Sequence, residues 1–244
     1  MVAAAVANSG WVNSFDVGIE LFLNHLNHKS PLLDWCMDLA AGSLFFRGGV
    51  LLLFVWYVLF DSEYAGQLRK DVELLLGAML TSVLAMPVVR IVAYLLPYRS
   101  RPFVTPVLHS VPPIEGLPSV ASWSSFPSDH AVLFCALATG VFFVSRRAGL
   151  LAYLWAALVI CLPRLYVGLH WPTDILAGAA MGVGLASIAL IPGFRRWTKR
   201  VICSQYSRHP ALFCTILFSY SFQVVTLFGA ARRFVAAALE HFKG

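Results

Sequence analysis

Three polar clusters interrupt an otherwise apolar chain: Tyr98-Arg99-Ser100-Arg101-Pro102, then Phe126-Pro127-Ser128-Asp129-His130, then the set Arg164, His170 and Asp174. Two histidines and a carboxylate are the inventory for a nucleophile, a general acid and a group that orients one ring. Pro127-Ser128 ahead of an apolar run reads as a helix start with Ser128 as N-cap. Pro172-Thr173-Asp174 has the same character, with Thr173 capping and Asp174 in the first turn. Helix N-termini carry unpaired N–H groups and partial positive charge, so both starts suit an anion. Arg101 and Arg164 add planar guanidinium forks, which fit phosphate oxygens. The chemistry within reach is attack on a multiply charged oxyanion. A metal site is the alternative, because His130, His170 and Asp174 would also suit zinc or iron. The arginines weigh against it, since two cations raise the cost of a divalent ion.

The elements that must hold these residues follow from composition. Of 244 residues, 59% are hydrophobic and 12% charged, with mean hydropathy +0.75. A soluble domain is about 45–50% apolar and about 25% charged. So little polar surface excludes a disordered chain, a collagenous repeat and a soluble enzyme, and leaves an all-α polytopic membrane bundle. A crossing helix needs ~20 mainly apolar residues. Six runs qualify, 43–60, 72–96, 128–145, 148–166, 173–192 and 211–230, so about six transmembrane helices are expected. The mixed segment 14–42 reads as an interfacial or re-entrant helix pair. The chain divides into that N-terminal segment (1–42), a membrane core (43–192), and a basic loop with a C-terminal hydrophobic helix (193–244).

The net charge of +6 reads here as orientation rather than affinity for nucleic acid. Arg69, Lys70, Arg146, Arg147, Arg195, Arg196, Lys199, Arg200 and Arg208 fall in alternate connections and mark the cytoplasmic side. Connections 97–127 and 167–172, which carry the polar clusters, then face the periplasm or exterior. The tail residues Arg232, Arg233 and Lys243 fit less well, since a sixth crossing would put them outside. Gly178 and Gly182 form a GxxxG pair, expected to serve packing inside the molecule rather than a dimer. The five cysteines are odd in number and widely spaced, and indicate neither a disulfide framework nor a zinc cluster. The N-terminus lacks a basic region before its Ala/Val stretch and does not read as a signal peptide.

Arg101-Pro102, Pro127-Ser128-Asp129-His130 and Arg164-x5-His170-x3-Asp174 resemble the three signature motifs of the type-2 phosphatidic acid phosphatase and haloperoxidase superfamily. The resemblance runs from about residue 14 to 192. Within it the chain is most similar to bacterial undecaprenyl-pyrophosphate phosphatases of the bacitracin-resistance type. Asn27-His28-Lys29-Ser30-Pro31-Leu32-Leu33-Asp34, Arg101-Pro102-Phe103-Val104 and Phe126-Pro127-Ser128-Asp129-His130-Ala131 carry that likeness. There are departures. Where the family commonly has a Lys seven residues before Arg-Pro, this chain has Tyr94. Arg90, one turn earlier on the same face, either replaces the Lys or snorkels to the outer surface. Asp129 stands where many relatives have Gly. At a helix start it is structural, or a proton partner of the site, rather than a phosphate contact.

The resemblance implies roles. His170 is the nucleophile and forms a phosphohistidine, and Asp174 accepts its other ring N–H. His130 protonates the leaving group and then activates water. Arg101, Arg164 and Ser128, with Arg90 as a further candidate, hold the phosphoryl oxygens. No metal or other cofactor is implied. The expected partners are the bilayer and a lipid phosphate, because a site where helices leave the lipid suits a substrate that diffuses in laterally. The expected activity is release of phosphate from a polyprenyl pyrophosphate at the outer face of the inner membrane. The alternatives are a phosphatidic acid or phosphatidylglycerol-phosphate phosphatase, a lipid phosphotransferase, and a non-catalytic transporter or scaffold. A transporter wants charges or broken helices near the midplane, in repeated halves, which the sequence does not suggest.

Overall fold

Prolines and small polar caps set where the helices begin. A computed structural model describes residues 11–61, 71–105 and 124–229. Arg69, Lys70, the stretch 106–123, the first ten residues and the basic tail lie outside the described residues. Nine helices run through the described residues. They are α1 (Ser14–Leu26), α2 (Pro31–Gly42), α3 (Phe45–Phe60), α4 (Val72–Leu95), α5 (Asp129–Val144), α6 (Arg146–Tyr166), α7 (Pro172–Leu190), α8 (192–208) and α9 (Pro210–Val225). No strand occurs among the described residues. Pro31, Pro172, Pro192 and Pro210 each occupy a first helical turn, where a missing N–H costs nothing.

α5 is the axis of the bundle. Its residues from Ala131 to Val141 are buried all round, and it packs against α4, α6 and α7. The main core joins Leu51 and Val55 of α3, Leu75 of α4, Leu133 and Phe134 of α5, and Ile160 of α6. The glycine pair serves the α5–α7 contact. A β-carbon at Gly178 would lie 2.6 Å from the Ser128 carbonyl and 2.9 Å from Ala131 Cβ, and Gly182 faces Val132 and Ala136 equally closely. The GxxxG face is thus spent inside the molecule.

Each of the six apolar runs falls on a helix, yet the helices differ in reach. α4, α6 and α7 are long and apolar enough to cross a membrane, and α2 with α3 makes a fourth candidate if their 68° bend is counted as one broken span. α5 and α9 have 16 residues each, about 24 Å at the helical rise. That falls short of the ~30 Å apolar core of a bilayer. Ser128 starts α5 as its N-cap, and extended Ser145 stops it. Its polar caps thus close it at both ends of the expected run, 128–145.

The 14–42 segment forms two helices, as its pattern predicts. α1 buries Asp16, Val17, Glu20 and Leu23 and exposes Phe15, Leu21 and Phe22 on its other side. α2 runs on through the bend into α3. The turn between α1 and α2 is pinned by the Tyr166 hydroxyl, which donates to Asp34 and lies 3.4 Å from the Leu26 carbonyl. At the far end of the bundle Arg195 pairs with Asp71 at 2.5 Å and Glu73 at 2.8 Å. One of the nine basic residues of that side therefore ties α8 to the start of α4.

Candidate active site

All three polar clusters gather at one end of the bundle, where α4 and α6 finish and α5 and α7 begin. The 99–105 segment, with a 3-10 turn at Pro102–Val104, straps the loop between α6 and α7. Arg101 Nη1 donates to the Leu169 carbonyl at 2.6 Å, and the Phe103 N–H donates to the Gly168 carbonyl at 3.1 Å. Gly168 has φ +65°, and a β-carbon there would meet the Phe103 nitrogen at 3.1 Å. The loop needs glycine at that point. This strap fixes His170 relative to Arg101.

The two histidines have their Nδ1 atoms occupied. His170 Nδ1–H donates to the Ser125 carbonyl at 2.9 Å, which leaves Nε2 with its lone pair. Asp174 Oδ2 lies 3.7 Å from that same Nδ1, so the carboxylate stands behind the ring and the backbone carbonyl fixes the tautomer. His130 Nδ1–H donates to Asp129 Oδ1 at 2.8 Å, and the same oxygen accepts the His130 N–H at 2.8 Å. His130 Nε2 is buried with no protein partner. Each ring thus has its Nδ1 engaged and turns its Nε2 to whatever occupies the site.

Asp174 is clamped from elsewhere. Its Oδ2 accepts the Trp171 N–H at 2.8 Å, and its Oδ1 accepts from Arg99 Nη1. Arg99 also donates to Thr173 Oγ1 at 2.9 Å and to Asp16 Oδ2 at 2.5 Å. Asp16 in turn accepts the Thr173 N–H at 2.9 Å and its hydroxyl at 2.8 Å. Asp16, Arg99 and Asp174 are all buried. The expected Thr173 cap is therefore corrected: Trp171 is the N-cap residue and Pro172 takes the first helical position. Thr173 lies one position inside the helix, so its N–H is capped in trans by α1.

The phosphate-binding candidates are arranged in two ways. Arg101 and Arg164 are both buried at the site. Arg164 donates weakly to the Ala41 carbonyl, at 3.4 and 3.5 Å, at the end of α2. Burial lowers the Arg101 proton affinity, and Asp129 and Asp174 partly restore it. Ser128 caps α5, its hydroxyl accepting the Ala131 N–H at 3.5 Å. Arg90 reaches Asp129 Oδ2 at 3.4 Å, which puts it behind the Asp129–His130 pair. Among the described residues no three His, Cys, Asp or Glu side chains converge as metal ligands do.

Three participants escaped the sequence reading. Arg99 was visible in the first cluster but had no role there, since nothing in the local pattern couples it to Asp174, 75 positions away. Asp16 offered no signal beyond an acidic residue in a first helical turn. Arg47 did carry one, as a charged residue within an apolar run. Its charge acts on Asp129, His130 and Arg164.

The PAP2 superfamily model matches residues 72–198, just over half of the 244 residues and all three clusters. The chain belongs to the PAP2 superfamily. It is similar to the bacitracin transport permease protein BcrC of Bacillus licheniformis, 38% identical over 60 residues, 25% of this chain and 29% of that protein. The chain thus spans less than a third of BcrC in that match. It is 28% identical to the lipid A 1-diphosphate synthase of Escherichia coli K12 over 196 residues, 76% of this chain and 79% of that one. It is 26% identical to phosphatidylglycerophosphatase B of Bacillus subtilis 168 over 211 residues, 81% and 82% of the two chains. The PAP2 match takes in α4 to α7 and the first turns of α8. α1, which caps α7, lies outside it.

Proposed function

We propose that this PAP2 protein is an integral-membrane lipid phosphatase that hydrolyses a polyprenyl pyrophosphate, undecaprenyl pyrophosphate to the monophosphate plus phosphate, through a phosphohistidine. The carrying observation is the pair of histidines with complementary free nitrogens, His170 Nε2 and His130 Nε2, beside Arg101 and Arg164. In the first step the His170 Nε2–phosphorus bond forms and the phosphorus–oxygen bond to the leaving lipid phosphate breaks. His130, entering this step as the imidazolium with its Nδ1–H still held by Asp129, donates its Nε2 proton to that oxygen and is left neutral. In the second step a water gives its proton to His130, its oxygen bonds phosphorus, and the bond to His170 breaks. Arg101, Arg164 and the start of α5 at Ser128 stabilise the charge on the equatorial oxygens. Asp174, held by Arg99, supports the cation that develops on His170.

Six crossings, with the active site facing the periplasm or exterior, fit this reading. On this reading the bent α2–α3 pair and the shorter α5 and α9 would make the crossings beyond α4, α6 and α7, and the basic residues of α8 lie at the opposite end. A second reading is a phosphatidic acid or phosphatidylglycerol-phosphate phosphatase, or a lipid phosphotransferase. The longer matches favour it, since those relatives are named for phosphatidylglycerophosphate and for lipid A diphosphate synthesis. A non-catalytic transporter or scaffold is the third.

Phosphate release by the purified protein in detergent with EDTA, from polyprenyl pyrophosphate, phosphatidic acid and phosphatidylglycerol phosphate, tests the proposal. Activity should survive chelation, favour the polyprenyl pyrophosphate and vanish in His170→Ala. Dependence on a divalent ion, or turnover by His170→Ala, overturns the mechanism. Preference for a phosphoglycerolipid overturns the substrate.

A further inference from the structure

Arg47 is the site's unexplained charge. It lies on the first turn of α3, just past the 68° bend from α2, in a π-helical stretch, Phe45–Gly49. Such π-turns cluster at functional positions because they open the helix and re-aim its side chains. A guanidinium within an apolar helix is costly and calls for a partner. The Arg47 guanidinium makes no hydrogen bond or ion pair with any described residue, and its Nε is buried without a partner.

Its surroundings are those of the active site. The neighbouring Gly48 packs on Phe134, where an added β-carbon would lie 3.4 Å from the ring. The Phe134 ring is 6.2 Å from that of His130, one turn earlier on α5. Trp155 of α6 donates to the Phe46 carbonyl at 2.9 Å, and Arg164 faces Ala41 just before the bend. Arg47 is thus on the His130 side of the pocket and near Arg164. Arg99 is balanced by Asp16 and Asp174, and Arg90 by Asp129. Arg47 and Arg164 pair directly with no carboxylate among the described residues, and Asp129, whose charge reaches both, is already held by Arg90, so an anion at the site would supply the missing charge.

Resting on the reading of this site as a lipid phosphatase with His170 as nucleophile, we propose that Arg47 binds the second, lipid-proximal phosphate of a diphosphate headgroup. It thereby selects diphosphate lipids over monophosphate lipids. The terminal phosphoryl group lies against His170, Arg101 and Arg164, and the phosphate that departs lies against Arg47. That placement matches the chemistry, because His130, beside Arg47, delivers the proton to the oxygen that leaves. A monophosphate lipid would fill only the first position.

The test compares farnesyl diphosphate with farnesyl monophosphate in detergent, for the unaltered protein, Arg47→Gln and Arg47→Lys. One lost charge-assisted contact is worth about 30-fold, so the diphosphate-to-monophosphate ratio of kcat/KM should fall about 30-fold in Arg47→Gln. Arg47→Lys should restore part of it. An unchanged ratio, with both substrates losing equally, overturns the proposal. A competition arm needs no variant: inorganic pyrophosphate should inhibit monophosphate hydrolysis about 10-fold more strongly than inorganic phosphate. Equal inhibition overturns the proposal even if Arg47→Gln fails to fold. Failure of the unaltered protein to hydrolyse either lipid would instead defeat the phosphatase reading. Hydrolysis of both with a preference for the monophosphate would leave that reading standing and remove the role of Arg47.

Discussion

Replacing Arg99 with methionine strips the cation from between two buried carboxylates. Arg99 bonds Asp174, Asp16 at 2.5 Å and Thr173 at 2.9 Å, and reaches the Trp11 carbonyl at 3.4 Å. Asp16 and Asp174 are 0% exposed, so neither can turn to water when the guanidinium goes. Breaking a buried pair from one side costs about 3–5 kcal/mol. Coulomb attraction at contact, about 4 kcal/mol at an effective dielectric of about 20, is of the same size. Arg99→Met should therefore lose about 3–5 kcal/mol in unfolding measurements in mixed micelles. Asp16→Asn keeps an oxygen for the Thr173 N–H and should cost less by itself. In the double variant one uncompensated charge has gone, so at least ~2 kcal/mol of the Arg99→Met loss should return as coupling.

Activity separates positioning from mere stability. Asp174 in the double variant is still without its guanidinium, so the carboxylate behind His170 is free to shift. A displacement of about 1 Å costs about 10²-fold in rate. The double variant should regain stability while kcat stays low and KM changes little. Additive single effects, within about 0.5 kcal/mol, would refute the coupling of Asp16 to Asp174 through Arg99. Recovery of kcat in step with stability would show that Arg99 holds the fold and does not position the nucleophile's partner.

Glu20 should give the protein a pH dependence of stability. Burial, reinforced by Asp16, pushes its carboxyl from 4.5 up to about 8. The folded value lies above the unfolded one, so its contribution is fully present below about 4.5 and is lost as pH rises toward 8, a loss on the order of 4 kcal/mol. Unfolding midpoints at pH 5 and pH 8.5 should diverge in the unaltered protein and converge in Glu20→Gln; the same divergence in both would clear Glu20. Gly182→Leu should destabilise by more than ~2 kcal/mol because its side chain enters the α5 backbone. Gly184→Ala, which meets nothing within 4 Å, serves as its control, and equal effects would refute the packing argument. A cysteine replacing Ser110 should react with an impermeant reagent in intact cells, and labelling only after lysis would invert the orientation.

What the sequence could disclose follows the range of each interaction. Ser128 as the α5 cap, Pro172 at the start of α7 and the helical identity of every apolar run are local matters, decided within a turn of chain. They were legible. Whether a run reaches across a bilayer was less so, since α5 matches its run, 128–145, yet at 16 residues is shorter than a crossing needs. The partner of Asp174 was hidden because Arg99 and Asp16 come from segments 75 and more residues away. The orientation of His170 was hidden too: a backbone carbonyl, which every residue has, fixes its tautomer, and no side-chain pattern can announce that.

Counting charges by partner sorts them better than counting them by position. In a chain with so few, an arginine beside a carboxylate is already neutral and organises structure. Arg99 does so for α1 and α7, Arg90 for Asp129, and Arg195 for the far end of the bundle. A desolvated arginine without a carboxylate of its own raises the energy of the empty site and lowers that of the occupied one, because the missing anion is the ligand's. Buried Arg164 and half-buried Arg47 are of this second kind, and the charge of each reaches His130. Neutralising either by substitution should make the empty protein more stable while weakening substrate binding, the reverse of what Arg99→Met does. That opposition of signs, read by unfolding with and without inorganic pyrophosphate, distinguishes an anion-binding arginine from a structural one.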